Sequence, residues 1–226
     1  MKNCIRLGIL CLALGLSFNS NAQTKRTKYY EFGGGLGTMN MSNEIANSSN
    51  VNAVLAEMAP SISIFAKYHV NDWFGIGFDV NYANLKAADK NHNNFNRGLS
   101  VRTSLLNSNA FTEIHFIRFG KYHLEDKWTV FIKGGVGVTG WNPELSFNKL
   151  IPEDIDVETN AYSGFSYFYG LGAKYRLAYQ SILTFELRFS NSGGDTMDGF
   201  LETKDGVISS NDTYWGMLFS YSYAIF

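Results

Sequence analysis

The chain has 226 residues, with 19 Lys and Arg against 20 Asp and Glu, a formal charge of −1 and no basic cluster. That balance excludes the electrostatic footprint of a nucleic-acid-binding protein. Its two cysteines, Cys4 and Cys11, both precede residue 23, so residues 23–226 hold no disulfide, thiolate nucleophile or cysteine-based metal site.

Residues 1–22 read as a secretory signal peptide. Lys2 and Arg6 precede an apolar run from Leu7 to Phe18, and Ser20-Asn21-Ala22 offers a small-residue cleavage site. The run is too short for a spanning helix, which needs about 20 residues. No small residue sits just ahead of Cys11, so ordinary cleavage is expected rather than lipidation. Removing Lys2 and Arg6 leaves 17 basic residues against 20 acidic ones in a single domain, 23–226. An exported chain with no spanning helix can enter a membrane only as a closed barrel, where every backbone group finds a partner.

Period-two alternation then marks strands along the chain. The first, over 29–41, sets Tyr30, Phe32, Gly34 and Leu36 opposite Glu31, Gly33, Gly35 and Gly37. Such a run of glycines weakens a solvent-facing strand but relieves crowding where interior side chains cross in a small barrel. A Ser- and Asn-rich loop is expected over 42–56, and a strand over 57–68 has Met58, Ile62, Ile64, Ala66 and Tyr68 on its apolar face. His69 to Asp72 makes a tight turn before the strand 73–84, in which Phe74, Ile76, Phe78, Val80 and Tyr82 alternate with Gly75, Gly77, Asp79 and Asn81. Residues 85–98 read as a polar loop, 99–107 is ambiguous, and a strand core follows at 108–119, where Thr112, Ile114 and Phe116 oppose Phe111, Glu113 and His115.

After a turn at 120–127, the strand 128–141 alternates Val130, Ile132, Val136 and Val138 with Phe131, Lys133, Gly135 and Gly137, and Asn142-Pro143-Glu144 is expected to end it. An acidic loop leads to the strand 162–175, then a turn to 182–190 and a Gly-, Ser- and Asp-rich loop over 191–212. The last strand, 214–226, puts Trp215, Met217, Phe219, Tyr221, Tyr223 and Ile225 on one face and mostly small residues on the other, and closes on Phe226. Trp215, Phe219, Tyr221, Tyr223 and Phe226 are the candidate insertion residues of that strand. The fold expected is all-β: an eight-stranded antiparallel transmembrane barrel, with long loops alternating with short turns. A soluble sandwich has no reason to keep that rhythm. A soluble lipocalin-like barrel is the competing architecture.

Inward positions gather Glu31, Lys67, Asp79, Glu113, Lys133, Lys174, Glu186 and Arg188, four acids and four bases. Buried ions are costly unless paired, so a connected ion-pair network filling the lumen is expected, not a diffusion pore. Glu113 with His115 and Glu186 with Arg188 share faces, but no nucleophile with an orienting partner accompanies them, so no catalytic residue is assigned. His69, His92, His115 and His123 show no metal-ligand spacing. The Gly33–Gly37 run lacks the helix and Lys-Ser/Thr of a phosphate loop. Asp195, Asp198, Asp205 and Asp212, like Glu153, Asp154, Asp156 and Glu158, match no calcium loop. No cofactor and no metal are expected.

Three patches carry a resemblance: YEFGGGLGTMN over 30–40, FTEIHFIRFG over 111–120 and WTVFIKGGVGVTGWNPE over 128–144. They resemble small outer-membrane barrels of Bacteroidetes, of OmpA/OmpX-like size, a group that includes PorG of the type IX protein secretion machinery. Glu31 with Gly33–Gly35, Glu113, and Gly134-Gly135, Gly137 and Trp141-Asn142-Pro143 match the family's elements; after Gly37 the match is loose. The resemblance implies a non-enzymatic outer-membrane subunit that meets outer-membrane lipid, the outer-membrane insertion machinery and periplasmic secretion proteins. The alternative is a stand-alone structural or surface ligand-binding barrel. The turn bearing Lys121, Tyr122, Glu125, Asp126 and Lys127, flanked by Arg118 and His123, is the candidate partner contact.

Overall fold

The structure is a computed structural model that describes residues 27–42, 51–88, 99–147, 156–157, 160–193, 197, 200–201 and 212–226. The signal segment 1–22 lies outside the described residues, as do His92, Glu153, Asp154, Glu158, Asp195, Asp198 and Asp205. Eight antiparallel strands close into one barrel: β1 (Tyr29–Ser42), β2 (Ala59–His69), β3 (Phe74–Ala88), β4 (Leu99–His115), β5 (Trp128–Phe147), β6 (Tyr162–Arg176), β7 (Ser181–Asn191) and β8 (Thr213–Ile225). Each strand pairs with its sequence neighbours, and β8 returns to β1. A short helix, α1 (Val51–Glu57), precedes β2, and a two-residue ladder joins 156–157 to 200–201, between the connections that follow β5 and β7.

The registers fix the barrel's geometry. Stepping through paired positions from Met39 passes Gly216, Arg188, Gly170, Lys133, Glu113, Gly75 and His69 and returns to β1 at Tyr29, ten residues lower. Eight strands displaced by that amount, with ordinary strand rise and spacing, tilt about 40° from the axis. On β6 the outward residues from Tyr175 to Phe165 are apolar or aromatic, and at this tilt they rise roughly 25 Å, the height of a membrane-facing band.

Several boundaries differ from the sequence pattern. α1 occupies the end of the stretch expected as loop and takes Glu57 from the expected strand, so that β2 starts at Ala59, and β3 runs to Ala88 rather than ending at Asn84. Residues 99–107 are strand, whereas β4 stops at His115, so 116–119 belong to the following turn. β5 passes straight through Pro143 to Phe147. The reason is directional. The amide of Phe116 donates to the Val130 carbonyl and that of Arg176 to the Lys127 carbonyl, at 2.9 and 2.7 Å. Even β5 residues therefore bond toward β4 and odd ones toward β6. Trp141–Tyr162 is the last β5–β6 pair, so the missing N–H of Pro143 falls on an edge with no ladder bond to lose. Lengthening of β3, β4 and β5 also blurs the expected loop rhythm. The connection 89–98 is shorter than the turn 116–127 on the opposite end.

Candidate functional site

Inward glycines begin the construction of the lumen. Gly33, Gly77, Gly135 and Gly172 sit directly across the ladder from Phe65, Phe111, Phe168 and Phe131, respectively. A Cβ on any of the four would meet its partner ring at 2.5–2.6 Å, so the missing side chain is the space the ring occupies. Each ring in turn carries a cation. Lys67 Nζ lies 4.4 Å from the Phe65 centroid, Lys133 Nζ 3.9 Å from Phe111, Arg188 Cζ 4.3 Å from Phe168 and Lys174 Nζ 5.7 Å from Phe131. Cations over aromatic faces in a desolvated setting gain on the order of 2 kcal/mol.

The carboxylates complete two stacked clusters. Nearer the short turns, Glu31 accepts from Lys67 (3.3 Å), Lys174 (3.0 Å), His69 Nε2 (2.8 Å) and Ser222 Oγ (2.8 Å). Glu113 pairs with Lys67 (3.1 Å), Lys174 (2.5 Å) and His115 Nε2 (2.7 Å). Farther along the axis, Asp79 takes Lys133 (3.0 Å) and Arg188 Nη2 (2.8 Å), and Glu186 takes Lys133 (3.2 Å) and Arg188 Nε (2.8 Å). All eight inward charges named from the sequence are buried and lie in these clusters. Two acids and two bases meet in each, so both are neutral once the histidines are counted as neutral. Glu113–His115 and Glu186–Arg188 are thus members of this packing.

Sequence reasoning missed both ends of the lumen. His69, expected in a turn, is the last residue of β2 and points inward, where its ring stacks 4.2 Å from Tyr29 and lies 5.4 Å from His115. Phe119 folds up from the 116–127 turn and is buried with Tyr29, Ile182 and Ala224, and the half-buried Phe226 packs against them. Tyr29 Oη donates to the Phe119 carbonyl (3.1 Å), Arg176 Nη2 to the Gly120 carbonyl (3.2 Å), and the Phe119 amide to the Asp72 carbonyl (3.1 Å). The opposite mouth is filled by an apolar cluster that includes Met39, Met41, Leu85, Leu105, Trp141, Met197 and Tyr214. Met197 is held over it by Thr103 Oγ1 donating to its carbonyl (2.7 Å) and by its own amide donating to Asp212 (2.8 Å). The clue available in sequence was parity alone, since Met39, Met41, Leu85 and Leu105 continue the inward register of their strands.

The outer wall is the complement. Tyr30, Phe32, Leu36, Ile62, Ile64, Phe78, Phe165, Tyr169, Phe219 and Tyr221 are all exposed. No helix among the described residues is long and apolar enough to cross a membrane, so the wall itself is the apolar surface. A family model described as an outer membrane protein beta-barrel domain matches residues 8–223.

The chain belongs to this family.

This outer-membrane barrel is similar in fold to Neisserial surface protein A, with a TM-score of 0.51 and 10% identity over 87% of this chain and 96% of that one. The attachment invasion locus protein Ail of Yersinia pestis gives 0.49 and 8% identity over 88% and 99% of the two chains. A major outer membrane protein from Thermus thermophilus gives 0.47 and 10% over 88% and 99%. Comparison with curated proteins finds no match. The exposed apolar wall of the outer-membrane barrel therefore meets lipid. Trp215, Phe219, Tyr221 and Tyr223 of β8 point into it, whereas Phe226 turns back to pack on Tyr29 and Tyr179, with ring centroids 5.1 and 4.9 Å apart.

Of the candidate partner residues, Tyr122, Glu125, Asp126 and Lys127 are exposed and Lys121 is half-buried, its Nζ 5.9 Å from the Tyr122 ring. They form the tip of the turn whose base is pinned by Phe119. His123 Nε2 lies 3.4 Å from Asp72, and Arg118 lies over Trp73. Among the described residues no cluster of three or more His, Asp or Glu is arranged to hold a metal ion.

Proposed function

We propose that this barrel is a non-enzymatic, non-conducting component of the outer membrane that acts through its rims, as an accessory subunit of a type IX-like secretion machinery. The observation that carries the reading is the filled lumen. Ion-paired clusters occupy its middle, Phe119 closes one mouth and the Met197 cluster closes the other. Function must then lie on surfaces outside the lumen. The chain reaches its site by the general secretory pathway with residues 1–22 removed, and the outer-membrane insertion machinery places it.

The secretion role rests on the PorG-like patches and on the periplasmic turn 116–127, in the orientation usual for such barrels. That turn has a pinned base and a charged, aromatic tip, which pre-organises a contact surface. Replacing Lys121, Glu125, Asp126 and Lys127 together with Ser, with barrel insertion verified by gel mobility, is expected to release periplasmic proteins that co-purify with the wild type in mild detergent. It should also lower secretion of surface-delivered proteins. Unchanged co-purification and secretion would overturn this role. The other reading, a stand-alone surface barrel, draws support from order at the opposite rim, where Asn40 Nδ2 bonds the Val54 carbonyl of α1 (2.8 Å) and Glu57 accepts the Ala88 amide (2.9 Å).

A further inference from the structure

On the outside of the wall, just past the apolar band at the long-loop end, β3, β4 and β5 set three charged residues in a row. Lys86 is the direct cross-strand partner of Arg102, and Arg102 is the partner of Glu144. All three are exposed. Two cations directly opposite each other on one sheet face repel, and among the described residues neither is ion-paired, although Glu144 stands beside Arg102. The row carries one net positive charge. Below it the face changes character. Asn84 Oδ1 accepts from Tyr82 Oη and from Ser104 Oγ, both at 3.0 Å, which fixes a polar ledge under the cations.

Beneath the ledge is a recess of about 250 Å³, with Gly140 on its floor and Tyr82, Leu106, Asn142 and Tyr162 around it. A Cβ on Gly140 would find nothing nearer than 3.7 Å. This glycine makes room for no side chain of the barrel, unlike the glycines of the lumen. From the recess, Leu106, Tyr82 and Val138 lead down onto the lipid-facing wall.

We infer that this corner is a binding site for a phosphate-bearing, multiply acylated lipid of the outer leaflet. The phosphate lies between Lys86 and Arg102, relieving their repulsion, and one acyl chain enters the recess over Gly140. The order of the parts matches the order of such a molecule in a membrane: a charged pair at headgroup height, a polar ledge, then an apolar slot opening onto the band. An anion free in solution would use the first part and have no need of the other two.

The full barrel in dodecylmaltoside micelles, titrated with diphosphoryl lipid A and followed by native mass spectrometry, tests the site. Wild type is expected to retain the lipid. Lys86→Gln with Arg102→Gln, and separately Gly140→Leu, are each expected to weaken retention at least tenfold. Lys28→Gln, which removes an exposed cation at the other end, should leave retention unchanged. Heat-modifiable migration of every variant checks that each barrel is folded. A Cβ at Gly140 meets only the Tyr162 and Leu106 carbonyl oxygens, at 3.7 and 3.9 Å, so a substitution there is free of close contacts at Cβ and, with the migration check, separates lipid loss from misfolding. Equal retention by the wild type and the Lys86/Arg102 variant would overturn the site. So would equal retention of dephosphorylated lipid A, or occupancy by inorganic phosphate that fully displaces the lipid.

Discussion

Glu31 shows how much a single side chain carries in this lumen. It accepts from Lys67, Lys174, His69 and Ser222, groups drawn from three other strands. Glu31→Ala leaves that wall of donors facing a void, and breaking a buried ion pair by removing one member costs about 3–5 kcal/mol. The expected result is a matching loss in urea-unfolding free energy of the barrel in micelles, with Glu144→Ala, at the exposed rim, within about 0.5 kcal/mol of wild type. Gly135→Val tests the packing beneath. Its side chain would enter the Phe168 ring position, and overpacking of this kind costs about 1–3 kcal/mol in the same measurement. The sequence told which residues face inward, because alternation in a strand is strict. It did not tell that Gly135 lies under Phe168 or that Lys133 bridges Asp79 to Glu186. Those facts depend on register, which no single strand encodes.

At the level of the element, β8 and the 116–127 turn make separable predictions. Phe219 is the midpoint of β8 and points into the lipid-facing wall, while Tyr223 lies near the end of the strand. Phe219→Arg places a charge at mid-band, at a cost of about 2–4 kcal/mol, whereas Tyr223→Arg near the interface costs about 0–1 kcal/mol. Refolding into lipid vesicles, read as the fraction of heat-modifiable protein, should fall for the first and stay near wild type for the second. Equal yields would show that the face or depth assignment is wrong. In the turn, Phe119→Ala removes a fully buried ring and is expected to cost about 3–5 kcal/mol, with protease sensitivity increased between residues 116 and 127. Element existence was plain from period-two alternation, but several ends were not. Polar residues such as Asn84, Lys86, Asn142 and Glu144 look like loop because they face water, yet their inward neighbours Leu85 and Trp141 keep the strands paired. Phe119 looked like a strand residue because its parity was carried past His115, where the ladder stops.

For the whole molecule, the ten-residue displacement and the filled lumen define a narrow, closed cylinder. Planar-bilayer recordings of the purified barrel are expected to show no steady conductance, and a stable ohmic step in the wild type would contradict the occluded lumen. The barrel as a class was readable from the strand rhythm and composition, whereas the plugs at its two mouths were not, since they bring residues from distant turns and loops onto strand ends. The placement of charge among strands has a consequence for how the cylinder is built. β1 through β7 each supply at least one of the eight lumen ions, and β8 supplies none. Every ion therefore finds its counter-ion within β1 to β7. The inward face of β8 is Gly216, Leu218, Ser220, Ser222 and Ala224 below Tyr214, slim enough to zip along β1 and β7 without prying any ion pair apart. β8 is thus the seam of the cylinder, the one strand whose removal would leave every lumen ion with its counter-ion.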